Sequence, residues 1–323
     1  MKRPYATVLA GLMLAFTLNA AQAAEKMRLG HNQPEDHPVH KAMVKFADLV
    51  KQYTKGEVEV SVFPNGVLGS EREMLEQVQN GILQITKASA SPLETFSADY
   101  KVFNLPFVFR DKAHFFKTLA SPVGEEILAS SRKSGFIGLT YYDSGSRSFY
   151  AKKAINTPED LKGLKIRVQQ SPTTIKMVQS LGATPTPMAY GEVYTGLQTG
   201  VIDGAENNVT ALTIGRHGEV AKFYSETEHQ MVPDVLVISA MTWDRLSKPN
   251  QVAVKKAALE SFELQKQLWA ESEKLERGKA EKLGVKFNRP AKEAFVLKVK
   301  PMMDTERKNP TIAKLLDAIS AVK

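Results

Sequence analysis

Apolar residues recur along this chain in two periods that take turns, every second residue and then every third or fourth. That alternation predicts an α/β fold with mostly parallel sheets. Met27 to Asn32 reads as a first strand. Val39, Met43, Phe46, Val50 and Tyr53 then share one helical face. Glu57 to Phe63 alternates strictly, with Val58, Val60 and Val62 on one side, before the turn residues Pro64-Asn65-Gly66. Ser70 and Glu73 form a capping box for a helix running to Gly81. Strands over Ile82 to Lys87 and Phe136 to Tyr142 follow, with the apolar Val102 to Phe109 segment and helices around Phe115 and Ile127 between them.

A second series starts with the strand Phe149 to Lys152. Thr157-Pro158-Glu159-Asp160 predicts a short capped helix with proline in its first turn. One strand ends at Arg167, Ser171-Pro172 opens a helix that closes at Gly182, and a helix containing Val193 and Leu197 ends at Gly200. Val201 to Asn208 reads as strand and then loop, and Val235 to Ala240 as a further strand. No junction holds a long flexible linker, so two lobes are expected to share crossing strands instead of hanging on one tether. The longest helical pattern, Pro249 to Leu283 with Val252, Leu259, Phe262, Trp269 and Leu275, would reach about 50 Å at ~1.5 Å per residue and brace both lobes. Two helices broken near Gly278 are the alternative. Internal repeats and a sustained heptad seam are missing, which argues against a solenoid or coiled coil.

The N-terminus changes where this fold is expected to work. Met1-Lys2-Arg3, an apolar run from Ala6 to Ala20 and the small-x-small Ala21-Gln22-Ala23 make residues 1–23 a secretory signal peptide, too short and wrongly flanked for a membrane span. The chain has no cysteine, which excludes a disulfide framework and a lipidated anchor. A soluble, monomeric periplasmic product without a direct membrane anchor is the expectation. Its roughly 300 residues exceed one comfortable core. The expected division is 24–144 plus 233–272 for lobe I and 145–232 plus 273–323 for lobe II. Removing Lys2 and Arg3 lowers the formal charge from +8 to +6, with 41 basic against 35 acidic residues left. That modest surplus can draw anions inward. Without a Lys/Arg block or a recognition motif, it does not make a nucleic acid a partner.

Candidate chemistry centres on Leu161-Lys162-Gly163-Leu164-Lys165-Ile166-Arg167-Val168, a strand that ends on one arginine among apolar residues. A planar guanidinium offers both oxygens of a carboxylate a rigid fork, which a lysine does not, and so suits a small organic anion. An internal salt bridge to Asp160 is the structural alternative for Arg167.

Several blocks then carry a resemblance. Phe63 to Met74, Leu161 to Val168, Gly182-Ala183-Thr184-Pro185-Thr186-Pro187-Met188 and Gly191 to Asn207 resemble, in order, the signature blocks of DctP-type solute-binding proteins. These serve TRAP transporters, the tripartite ATP-independent periplasmic systems. The resemblance implies a two-lobed periplasmic binding protein fold with a long bracing helix, closure on an acidic solute, and transfer to a sodium-coupled membrane permease. It implies that Arg167 is the selectivity arginine, that Asn207 bonds the same carboxylate or a neighbouring hydroxyl, and that Arg147 is a second cationic contact. Asn32, Glu71, Ser89 and Tyr190 match other pocket positions. Each also has a structural alternative: a helix-dipole role for Glu71, lobe packing for Tyr190, backbone satisfaction for Asn32 and Asn207, and a strand end for Ser89.

Where sialic-acid binders of the family place an acid and an arginine, this chain has Ser89 and Pro92. If Arg147 and Arg167 converge on one carboxylate, the remaining groups, Glu71, Asn32, Ser89, Lys87, Ser91 and Gln169, suit a polyhydroxylated body, and Glu71 would repel a second carboxylate. A sugar acid, a hexuronate such as glucuronate or galacturonate, is the favoured ligand, with a C4-dicarboxylate as runner-up. The segments Lys87 to Glu94 and Asp143 to Tyr150 resemble the sugar-acid branch.

Two other functional classes find little support in the sequence. His31, His37 and His40 lie beside Glu35 and Asp36, but no His-Glu-x-x-His or third-ligand motif supports a metal. His37 suits a hydroxyl contact better, because its turn follows the strand carrying Asn32. Ser146 lacks a nucleophile elbow and no glycine-rich phosphate loop appears, so neither a hydrolase nor a cofactor is expected. An adhesive protein would need repeats or exposed edges that the pattern does not contain. N-terminal sequencing of the exported protein should begin at Ala24; a mature chain that retains Leu12 would refute the cleavage site.

Overall fold

The computed structural model describes residues 24–323, and the signal-peptide segment, residues 1–23, lies outside them. The strand and helix order begins β1 (Glu25–Gly30), α1 (Pro38–Tyr53), β2 (Val58–Phe63), α2 (Glu71–Gln79) and β3 (Ile85–Ser89). The later strands are β4 (Phe136–Tyr142), β5 (Arg147–Ala151), β6 (Lys165–Val168), β7 (Thr184–Pro187), β8 (Gly204–Asn207), β9 (Phe223–Gln230), β10 (Asp234–Ser239) and β11 (Lys286–Asn288). They form two sheets, ordered β2-β1-β3-β10-β4 and β11-β9-β5-β8-β6-β7, and each carries helices, giving two α/β lobes. In α1, Pro38 fills the first turn and Val39, Ala42, Met43, Phe46, Leu49 and Val50 are buried against the first sheet. The capping box of α2 forms as read, with Ser70 and Glu73 bonding reciprocally.

The chain crosses between sheets without a tether. β4 passes to β5 through residues 143–146, and β9 passes to β10 through Met231-Val232-Pro233. β10 then runs antiparallel between β3 and β4, inside the sheet that the first part of the chain built. Gly145 sits in the first crossing with φ +65°, and a Cβ there would lie 2.7 Å from Glu273 and 3.1 Å from the Trp269 indole nitrogen. Any side chain at that position collides with the brace.

The brace is one unbroken helix, Lys248–Lys282. Gly278 does not interrupt it, since one interior glycine costs only about 1 kcal/mol and packing at both ends outweighs that. Val254, Ala257 and Ala258 enter the core of the first lobe, and Ala280 enters that of the second. Between those two ends its buried stripe is polar apart from Trp269. Ser261, Gln265, Ser272 and Glu276 face inward, while Val252, Leu259 and Leu275 of the sequence pattern are exposed. Gln265 clamps the crossing: its amide accepts from the Asp143 N–H at 2.9 Å and donates to the Asp143 carbonyl at 2.7 Å. Tyr142 is hydrogen-bonded to Ser261 at 2.6 Å.

Other readings needed adjustment. The third strand starts at Ile85, and Ile82 lies exposed in the preceding turn. β1 stops at Gly30, which leaves Asn32 in the following loop. β9 escaped the pattern because its inward residues are polar: Ser225, Thr227 and His229 are buried. The helices Lys292–Glu306 and Pro310–Ala321 were also unread. The last of them packs on Lys101–Asn104 and Pro122–Ser130, back on the earlier part of the chain. Trp269 is buried under the crossing. Trp269→Ala should therefore lower unfolding free energy by about 3–5 kcal/mol in urea melts; a loss below about 1 kcal/mol would show that the brace is not packed there.

Candidate functional site

The parallel strands β1, β3, β6 and β8 end toward one crevice, the position where open α/β sheets bind ligands. Arg167 lies near the end of β6, Asn207 ends β8 and Ser89 ends β3. The antiparallel strands deliver their first residues to the same edge: Arg147 opens β5 beside β8, and Asp234 opens β10 opposite Ser89.

Arg167 is 2% exposed, and its Nε and Nη2 both donate to the Met188 carbonyl, at 3.0 and 2.8 Å. Among the described residues no carboxylate lies within salt-bridge distance of it. Asp160, the alternative partner, accepts instead from the backbone of Asn156 and Thr157 at 2.8 and 2.9 Å. Burial lowers the Arg167 pKa, yet a guanidinium stays charged in proteins. Its Nη1 end therefore holds an uncompensated charge with donors left over.

Arg147 is placed differently. Its Nε and Nη2 grip both oxygens of Glu206 at 2.6 and 2.9 Å, Nη2 also donates to the Glu206 carbonyl, and Nη1 donates to Asn207 Oδ1 at 2.9 Å. Burial raises the Glu206 pKa, but Arg147 and His229 outweigh it and hold the carboxyl at about 2. Burial lowers the His229 pKa, and that ring stacks on Phe149 with centroids 4.4 Å apart. Arg147 thus supplies one spare N–H and no net charge beyond its pair.

On the other wall Lys87 is buried with all three ammonium hydrogens engaged, by Glu71 at 2.9 Å, Asp234 at 3.2 Å and Asn32 at 3.2 Å. Desolvation works against the charge, but Asp234 and Glu71 together keep Lys87 protonated. Glu71 also accepts from the Ser89 N–H at 3.2 Å, so both of its bonds within the protein use Oε1. Ser89 Oγ reaches across the crevice to Gln169 Oε1 at 3.3 Å. Ser91 turns away to Asn104 at 2.6 Å.

Asn32, Glu71, Arg167, Gln169 and Tyr190 line one cleft of about 230 Å³, together with the Asn65-Gly66 turn and Met188. Its walls come from both sheets. The Tyr190 ring stands 5.5 Å from His217, and burial pushes its phenol up to about 12. His37 is set back: its Nδ1 caps α1 by accepting from the Val39 N–H, and its ring lies 5.6 Å from Trp269. Burial and then Lys87 lower the His31 and His37 pKa values to about 2 and about 3, so both rings are neutral. Among the described residues no three His, Asp or Glu side chains gather to hold a metal ion.

The family model for DctP, the bacterial extracellular solute-binding protein family 7, matches residues 29–309. This chain belongs to that family. The receptor is 43% identical to a TRAP periplasmic solute-binding protein of Xanthobacter autotrophicus Py2 solved with bound β-D-galacturonate, at TM-score 0.90 over 92% of this chain and all of that one. A counterpart from Anaerococcus prevotii, solved with D-glucuronate, is 39% identical at TM-score 0.89 over 92% of this chain and 97% of that one. The 2,3-diketo-L-gulonate-binding periplasmic protein YiaO of Escherichia coli is 36% identical, over 83% of this chain and 82% of YiaO. No helix among the described residues of this solute-binding protein is long and apolar enough to cross a membrane.

Three residues of the receptor's crevice went unread. Glu206 stood beside Asn207 in the sequence block, but its pairing with Arg147 spans 59 positions. Asp234 carries the weak local signal of an acid opening an apolar strand after Pro233. His217, which hydrogen-bonds Tyr150 at 2.7 Å, has none. Glu206→Gln should cost about 3–5 kcal/mol at pH 7, because it leaves Arg147 buried and half-paired. The folded pKa of about 2 lies below the ordinary 4.5, so the carboxylate's contribution is complete above pH 4.5 and fades as pH falls toward 2. Chemical denaturation at pH 7 and at pH 3 should find the gap between wild type and variant narrowing on acidification; a constant gap would contradict the assignment.

Proposed function

We propose that this protein is the periplasmic receptor of a TRAP transporter, capturing a hexuronate such as D-glucuronate or D-galacturonate and delivering it to the membrane permease. The observation that carries this reading is Arg167, a desolvated guanidinium that lacks a carboxylate and opens on a cleft built from both lobes. A ligand carboxylate supplies the missing charge, with the spare N–H of Arg147 and the Asn207 amide beside it. Glu71, Asn32 and Gln169 on the walls suit ring hydroxyls, since a carboxylate and amide oxygens accept from O–H donors. Hexuronates bound to relatives about 40% identical support the same ligand class.

Binding is saturable capture without turnover, and lobe I (24–144 plus 233–272) and lobe II (145–232 plus 273–323) are the proposed moving bodies, with the final helix of the second stretch packed on lobe I. The ligand stabilises the closed state because only there does it touch both walls. A C4-dicarboxylate fits less well, because Arg147 is already neutralised and the far wall is acidic.

A thermal-shift and calorimetric screen of the mature protein should show stabilisation by hexuronates over aldonates and C4-dicarboxylates. Stabilisation by C4-dicarboxylates alone would overturn the ligand. Arg167→Ala should lose about 2–5 kcal/mol of binding, and Arg167→Lys should recover little of it, for want of the planar fork; full affinity in the lysine variant would remove Arg167 from this role.

A further inference from the structure

The wall opposite Arg167 carries a charge imbalance that its exposed residues alone do not reveal. Glu71 and Asn32 face the cleft, while Lys87 and Asp234 stand behind them, Lys87 being 1% and Asp234 5% exposed. Lys87 Nζ is shared by Glu71 Oε1 at 2.9 Å, Asp234 Oδ2 at 3.2 Å and Asn32 Oδ1 at 3.2 Å. Three acceptors exhaust the three N–H groups of an ammonium, so Lys87 has no donor to offer a ligand. Burial raises the Asp234 pKa and the Lys87 ammonium opposes that rise; with both carboxylates ionised, one positive charge against two negative ones leaves the group at −1. Two other cations stand near this wall, and each has its own carboxylate: Arg72, which also lines the cleft, pairs with Glu76 at 3.1 Å, and Arg147 with Glu206, so neither corrects the sum. The far wall therefore accepts hydroxyl donors through Glu71 and Asn32, and meets an anion with net repulsion that Lys87 has no donor to offset.

We propose that Asp234 is a specificity-determining positioning residue that, through Lys87, makes the receptor reject sugar acids carrying a carboxylate at both ends. The proposal rests on the hexuronate reading and deepens it. A hexuronate and the matching aldarate share the carboxylate for Arg167 and differ in the group presented to the opposite wall, an aldehyde or ring hydroxyl in one and a second carboxylate in the other. With Glu71 alone, Lys87 would be balanced and the second carboxylate tolerated. Asp234, delivered by the crossing strand β10 opposite Ser89, tips the balance.

The test is isothermal titration of the mature protein, wild type and variants, with D-glucuronate and D-galacturonate and with the matching aldarates, D-glucarate and galactarate. Asp234→Asn keeps the size of the side chain and an acceptor for Lys87 while removing one charge. It should raise the ratio of aldarate to hexuronate affinity about tenfold or more. Asp234→Glu, which restores the charge, should return the ratio toward wild type. An unchanged ratio in a folded Asp234→Asn protein, or an equal loss for both ligand types, would make Asp234 merely structural and overturn the proposal. If that variant fails to fold, Glu71→Gln removes a charge from the same group and must shift the ratio in the same direction, or the proposal falls. Wild type that binds aldarates as well as hexuronates defeats this inference and leaves the receptor reading standing; wild type that binds neither defeats both.

Discussion

A guanidinium buried without a carboxylate is the constraint on which this crevice depends. Taking Arg167 out of water is costly, and one backbone carbonyl from Met188 repays only part of the lost solvation. The protein fixes the arginine in one pose on a short parallel strand and places no carboxylate of the described residues within salt-bridge distance of it. The other buried cations of the crevice are closed systems by comparison. Arg147 has Glu206, and Lys87 has Glu71 and Asp234. Because those cations are satisfied internally, the one buried positive charge left without a carboxylate is that of Arg167, facing a wall where Lys87 has two carboxylates.

Holding that edge opposite a hydroxyl-accepting wall requires two sheets whose relative position is controlled. Two short crossings and one continuous helix supply the control. Gln265 ties its amide to both backbone polar groups of Asp143, which keeps the first crossing from adopting alternative hydrogen bonds. Lys112 joins the same crossing to the helix by pairing with Asp143 at 3.1 Å and Glu273 at 2.7 Å. The inward stripe of the brace is polar around Trp269 because it packs against backbone of the crossing, which offers N–H and C=O groups that need partners. Backbone clamped in this way by a side-chain amide leaves few freely bending residues in the first crossing.

Legibility of the molecule in its sequence divided along physical lines. Elements whose inward face is apolar were readable, as with α1 through Val39, Met43 and Phe46 or β2 through its valines. β9 was not, because Ser225, Thr227 and His229 point inward, Ser225 bonding Asn288 far along the chain and Thr227 and His229 bonding each other at 2.8 Å. The same limit applied in the crevice. Arg167 was conspicuous because a lone arginine among apolar residues on a strand has few other uses. The roles of Arg147 and Lys87 were not conspicuous, since whether a cation is free or already paired depends on residues such as Glu206 and Asp234 that only folding brings near.

By itself the sequence determined the α/β order, the capping of α2, the expectation of an export signal and the place of a lone arginine among apolar strand residues, because each rests on neighbours a few residues apart whose chemistry is local. Only the tertiary structure decided that the 35-residue brace is continuous, that Asp160 leaves Arg167 unpaired, and that the wall facing it is acidic. Those outcomes are sums over contacts between distant segments. Helix continuity was set by packing at both ends, and net charge at a point was set by every buried group converging there.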